Sequence, residues 1–310
     1  MVRSDVPTRD PYLELLKNCL TASLYDESAW QVADGFGRDG LWNMFKRWFY
    51  QAIAARGYKI IKAKRFNAEK RRSGLDWPMF GYSMIGSQRL DNLEACVRTI
   101  LNEEIPGDII ETGVWRGGAC MFMKAVLNRF GDTTKNIWLA DSFAGLPKPK
   151  SEADLENPEF DLAGCKFLQI SMEQVKANFE RFNLLDERVR FLKGWFCDTL
   201  PTAPIEQLSL LRLDGDLYDS TMDALNALYH KVVPGGFVIV DDYGTWSSCR
   251  LAVDEFRRQH GIDAEINTID ESGVYWRVPA VKHPAAVAGV AKAESEFWQL
   301  QVSGDSLQRC

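Results

Sequence analysis

The spacing of apolar residues changes partway along the chain, near residue 105. Before that point it is helical. Tyr12, Leu13, Leu15, Leu16, Cys19 and Leu20 fall close to a 3.6-residue period, which predicts an amphipathic helix within residues 10–30. Gly35, Gly37 and Gly40 break the pattern. A second helix is predicted from Leu41, with Trp42, Phe45, Phe49, Ala52 and Ile53 on one face and Asn43, Lys46 and Arg47 on another. Gly57 interrupts it, and Leu93, Val97 and Ile100 then mark a third helix over Leu90–Leu101.

Beyond this, short apolar runs alternate with helical stretches. The runs Asp108–Thr112, Ile137–Ala140, Val189–Leu192, Ser209–Leu213 and Phe237–Val240 are bounded by turn residues or acids, as strands covered on both faces should be. Between them, Cys120–Phe130, Met172–Phe182, Met222–Tyr229 and Cys249–His260 carry helical spacing. Such alternation predicts an α/β fold, a doubly wound and mostly parallel sheet with helices on both faces. Ala264–Thr268 and Gly273–Val278 read as a hairpin that closes the sheet with an antiparallel last strand. The expected organisation is a helical N-terminal cap over 1–100, a core over 101–279 and a tail over 280–310 containing Phe297 and Trp298.

Composition narrows the function. With 46% hydrophobic and 26% charged residues the chain has the make-up of an ordinary globular protein, and no run reaches the ~18 apolar residues of a membrane span. Residues Met1 to Arg9 lack the pattern of a secretory signal. Seven scattered cysteines, never in a CxxC pair, argue against a disulfide framework or a thiolate zinc site and fit a reducing cytoplasm. The three histidines have no ligand-like spacing. Between Leu41 and Arg72, ten Lys/Arg face the single acid Glu69, a net +9, so the remainder carries −15 of the overall −6. An acidic body of this kind excludes nucleic acid as the partner. The basic, aromatic segment 41–72 is read as a packed cap or oligomer contact, with contact to a membrane surface as the alternative. A homo-oligomer is expected.

Three groups of residues carry chemistry. The first is Glu111-Thr112-Gly113-Val114-Trp115-Arg116-Gly117-Gly118, at the end of the first core strand. Its glycines permit a tight turn and close approach of backbone to a ligand, or simply a strand-to-helix turn with no ligand at all. It is not GxGxxG, so the dinucleotide fingerprint is absent. The second is Asp141, thirty residues beyond Glu111 and directly after the second strand. An acid there can accept hydrogen bonds from a ribose or cap the following segment. The third is Leu213-Asp214-Gly215-Asp216 together with Val240-Asp241-Asp242-Tyr243. Adjacent parallel strands would bring Asp214, Asp241 and Asp242 together at the ligand-binding edge, where a hard divalent cation such as Mg2+ would relieve their repulsion. Turn chemistry for Asp242 and helix capping for Asp216 are the alternatives.

The segments LDNLEACV, GDIIETGVWRGGACMF, WLADSFAGLP, LRLDGDLYDSTMDAL and PGGFVIVDDY resemble the macrocin O-methyltransferase family, as do CRLAVDEFRRQHGI and GVYWRV. The resemblance spans about 10–25 and 76–278. It implies a class I methyltransferase (Rossmann-like) fold, S-adenosylmethionine as cofactor, and Mg2+ on Asp214, Asp241 and Asp242. It also implies a cofactor site made by Met84, Ile85, Glu111, Thr112, Gly113, Val114, Gly118, Asp141 and Ser142, with Trp195, Phe196 and Asp198 beside the adenine. The region of about 35–72 and the tail beyond Val278 look like additions to the family pattern.

The expected reaction is methyl transfer to a hydroxyl of a sugar on a glycosylated natural product, a small-molecule acceptor. Alternative acceptors are a phenolic or catechol-like hydroxyl and a lipid-linked or polysaccharide glycan. Related catechol-type enzymes place a lysine three positions after the first aspartate, where this chain has Leu217. Asp214 is therefore expected to be the catalytic base as well as a metal ligand, with Asp216 in reserve. A nicotinamide oxidoreductase would share the sheet but not explain the three aspartates, and a non-catalytic assembly protein would not need them.

Overall fold

The computed structural model describes residues 9–24, 29–32, 41–58, 60–64, 66–156 and 161–279. The expected glycine break at 35–40 and the tail 280–310 lie outside these residues. The chain up to Val278 forms one compact unit.

The first helix, α1 (Pro11–Leu20), starts where Asp10 accepts the N–H groups of Tyr12 and Leu13 and Pro11 fills the first turn. It ends sooner than its predicted window, because Thr21 closes it and Ala22 takes a left-handed φ of 53°. Two short strands, β1 (Ala29–Val32) and β2 (Ile61–Lys64), pair antiparallel around α2 (Leu41–Ala54). Neither strand was predicted. Phe45 and Phe49, two of the residues predicted to share one face of α2, are exposed, as are Met44 and Trp48. At 100° per residue, positions 44, 45, 48 and 49 form one apolar stripe about 140° wide, and it is left exposed. Then come α3 (Ala68–Arg72) and the long α4 (Gly86–Asn102).

The core follows as β3 (Asp108–Thr112), α5 (Gly118–Arg129), β4 (Ile137–Asp141), α6 (Glu152–Leu155), α7 (Met172–Arg181), β5 (Val189–Lys193), α8 (Phe196–Thr199), β6 (Leu208–Leu213), α9 (Tyr218–Leu228), β7 (Val232–Val240), α10 (Ser247–Gln259), β8 (Asn267–Thr268) and β9 (Val274–Arg277). The sheet order is β5-β4-β3-β6-β7-β9-β8. Strands β3 to β7 are parallel, and β9 runs antiparallel to β7 as the hairpin pattern predicted. Successive side chains of one strand point to opposite faces. Ile109 and Leu210 therefore pack with Leu13, Leu93, Phe122 and Phe179 on one side, while Ile110 and Leu211 pack with Leu225, Val253, Phe256 and Trp276 on the other. This double burial is why the central strands read as unbroken apolar runs. Among the described residues no helix is long and apolar enough to cross a membrane.

Candidate active site

The carboxyl ends of β4, β3, β6 and β7 lie side by side and open into a cavity of about 1030 Å³. Two backbone contacts draw the strand ends together: the Asp214 N–H donates to the Thr112 carbonyl (2.8 Å), and the Asp241 N–H to that of Leu213 (2.9 Å). Gly113 makes the first crossing possible, with φ at 88° and a Cβ-less face against the Asp214 carbonyl.

Asp141 ends β4 and braces the turn beside it. Its Oδ2 accepts the Val114 N–H (2.8 Å) and its Oδ1 accepts that of Phe143 (2.7 Å). Burial raises its carboxyl, and these N–H groups work against that shift. The next helix, α6, is capped by Ser151, so Asp141 is not an N-cap. Its carboxylate faces the cavity, as do Met84, Gly113, Ser142, Trp195, Phe196 and Asp198. Trp195 leaves 42% of its surface exposed there.

Five residues expected around a cofactor do not line the cavity. Glu111 is 2% exposed and spends its carboxylate on Arg212 and Cys120. Thr112 is buried and contributes its carbonyl to Asp214. Ile85 belongs to the hydrophobic core. Val114 acts through its N–H on Asp141. Gly118 donates to the Tyr82 carbonyl (3.0 Å), and a Cβ there would meet that oxygen at 2.3 Å. Its small size accommodates the protein's own chain, and the loop it admits carries Met84 to the cavity wall.

The aspartates converge as their strand positions suggested. Asp214, Asp241 and Asp242 each offer a carboxylate oxygen, and these atoms all lie within 4.8 Å of one another. Asp241 and Asp242 are buried, while Asp214 keeps 26% of its side chain exposed. Burial, reinforced by the neighbouring Asp241, pushes the Asp214 carboxyl up to about 6. Asp242 is pushed well above the ordinary carboxylate range by burial and by Asp216. Asp216 sits in a left-handed turn with φ 59°, and its N–H donates to Asp242 Oδ2 (3.2 Å). Leu217, in place of a lysine, also lines the cavity.

Two arginines complete the cluster, and neither was anticipated. Arg212 is a fully buried cation inside β6; Nη1 donates to Glu111 and to Asp214 Oδ2 (2.7 Å), and Nη2 donates to Asp241. Its signal was present in the sequence: a charge inside the apolar run LSLLRL must be paired. Arg89, from α4, donates Nη1 to Asp241 and Nε to Asp270 Oδ2 (2.8 Å). Five acids (Glu111, Asp214, Asp241, Asp242, Asp270) thus surround two guanidinium groups. The surplus is negative and desolvated, and its exposed part is an all-oxygen donor set, which fits a hard divalent cation.

Comparison with known proteins agrees with this architecture. The macrocin O-methyltransferase family (TylF) matches residues 9–278. The 8-demethyl-8-(2,3-dimethoxy-α-L-rhamnosyl)-tetracenomycin-C 4'-O-methyltransferase of Streptomyces olivaceus is 44% identical over 281 residues, covering 90% of this chain and 95% of that protein. The mycinamicin III 3''-O-methyltransferase of Micromonospora griseorubida is 47% identical over 221 residues, 70% of this chain and 87% of that one. Among solved structures, the O-methyltransferase NovP superposes with a TM-score of 0.74 at 40% identity, over 87% of this chain and 98% of its own. Fold and site together define an enzyme of the class I methyltransferase type, an O-methyltransferase. The chain belongs to the macrocin O-methyltransferase family.

Proposed function

We propose that the enzyme transfers a methyl group from S-adenosylmethionine to a hydroxyl of a sugar carried by a glycosylated small molecule, assisted by Mg2+ on Asp214, Asp241 and Asp242. The observation that carries this reading is the meeting of those three carboxylates in the wall of the cavity that Asp141 and Trp195 also line. The activities for which the Streptomyces and Micromonospora relatives are named, on a rhamnosyl tetracenomycin and on mycinamicin III, support a glycosylated acceptor.

The donor would lie along Gly113, Asp141, Ser142, Trp195, Phe196 and Asp198, with Asp141 toward its ribose and Trp195 toward its adenine. S-adenosylmethionine supplies a methyl group on a sulfonium, which moves to the acceptor oxygen as the hydroxyl proton departs. Mg2+, when bound, supplies Lewis acidity that stabilises negative charge on that oxygen. Holding both substrates in line can contribute ~7–11 kcal/mol of the barrier. Arg212 fixes Asp214 through Oδ2, and this carboxylate takes the proton. Leu217 has no amine to compete for it, and Asp216, which also lines the cavity, is the reserve base. We place the protein in the cytoplasm as a homo-oligomer without nucleic-acid partners, with membrane contact through the basic segment 41–72 as the alternative. Transfer of labelled methyl to a panel of glycosides and phenols, with and without EDTA, tests the reading. Turnover of phenols alone would overturn the acceptor class, and full activity in EDTA would overturn the metal.

A further inference from the structure

Both carboxylate oxygens of Asp241 are already engaged by arginines. Arg212 Nη2 donates to Oδ1, and Arg89 Nη1 donates to Oδ2. The two partners are held differently. Arg212 belongs to the sheet and is shared with Glu111 and Asp214, so it cannot leave without exposing three acids to one another. Arg89 arrives from a helix, lines the cavity, and has a second anchor in Asp270. Asp270 is itself clamped, its Oδ1 accepting the N–H groups of Ser272 (2.9 Å) and Gly273 (2.7 Å) in the turn between β8 and β9. Its other oxygen is thereby aimed at Arg89.

A guanidinium on a metal ligand opposes a cation in two ways. It occupies a lone pair, and it places a like charge beside the site. The geometry points to Arg89 as a positioning residue that serves as a displaceable counter-ion. It neutralises Asp241 Oδ2 when no cation is present, and it gives that oxygen up to an incoming divalent cation while staying tethered to Asp270. This rests on the Mg2+ reading above. Arg89 then sets how tightly the cation is held, and it keeps the buried acids compatible with a folded, ion-free enzyme.

Mn2+ serves as a spectroscopic probe of the site. Its binding to the full-length protein is followed by electron paramagnetic resonance, together with thermal unfolding in EDTA, for the wild type, Arg89→Met, Arg89→Lys and Asp270→Asn. Removing the like charge in Arg89→Met should tighten Mn2+ about tenfold and lower the ion-free Tm. Asp270→Asn, which leaves Arg89 with Asp241 alone, should weaken Mn2+ binding, and Arg89→Lys should stay near wild type. Arg89→Lys separates the two roles: an arginine needed only for packing would lose Tm in both Arg89 variants without a gain of Mn2+ affinity confined to Arg89→Met. Unchanged or weaker Mn2+ binding by a folded Arg89→Met protein overturns the inference. If that variant does not fold, wild-type affinity in Asp270→Asn overturns it equally. Wild-type protein that binds no Mn2+ would overturn the metal reading itself, a distinct outcome from variants that fail to shift a site that does bind.

Discussion

Gly113 and Asp214 pass so closely that a Cβ on Gly113 would lie 1.7 Å from the Asp214 carbonyl oxygen. No rotamer relieves that clash, because both partners are backbone. Gly113→Ala, also strained by the φ of 88°, must therefore push β3 and β6 apart at Asp214. The expected cost is roughly 3 kcal/mol or more of stability. A fall in kcat/KM of at least ~100-fold should accompany it, since a displacement near 1 Å in a catalytic group has that effect. Denaturant unfolding and steady-state kinetics check both, and an active, stable Gly113→Ala enzyme would contradict the described turn.

Asp141 holds the same turn from the other side. Asn at this position keeps one acceptor oxygen but replaces the other with an amide donor facing the N–H of Val114 or Phe143. Asp141→Asn should weaken S-adenosylhomocysteine binding about tenfold by calorimetry, with a stability loss of ~1–2 kcal/mol. Unaltered affinity would mean the carboxylate braces the backbone without touching the cofactor.

Asp214→Asn separates proton transfer from cofactor binding. The amide cannot take the hydroxyl proton and is a poorer cation ligand, so kcat should fall by ~1000-fold or more. The donor-side residues are left in place, and S-adenosylhomocysteine affinity should stay within about threefold of wild type. Appreciable turnover would remove Asp214 as base and leave Asp216 or solvent.

Glu111 gives a pH signature. Burial raises its carboxyl to about 7, from 4.5, despite the opposing pull of Arg212. The folded protein therefore holds this proton more tightly than the unfolded chain does. Its contribution is full below about 4.5 and is lost as pH rises toward about 7. Glu111→Gln should flatten that part of the stability profile relative to wild type in urea titrations at several pH values. Parallel profiles would show that Glu111 stays ionised beside Arg212.

The sheet was readable because each buried strand is an apolar run that stops at an acid or a glycine. Asp108–Thr112 has the predicted bounds, and the acids that follow β6 and β7 are the metal-ligand candidates. The same logic failed for residues whose partners are remote. Arg89 meets Asp241 and Asp270 across 152 and 181 positions, and no local period encodes such a pairing. Strands β1 and β2 pair across the whole of α2, so neither had a hairpin signal. Glu111 and Gly118 sit inside a motif with the right spacing for a ligand, yet only the packed structure shows them turned to Arg212 and Tyr82.

The antiparallel pairing of β7 with β9 has a consequence for biosynthesis. Among the described strands β7 is the longest, VVPGGFVIV, and its outer edge pairs with Val274–Arg277. A nascent chain that has already made β3, β6 and β7 thus presents a bare, strongly apolar strand edge until Val274–Arg277 emerges. The candidate metal ligands Asp241 and Asp242 follow directly on that strand, so the late pairing that covers the bare edge also fixes the backbone that leads to them.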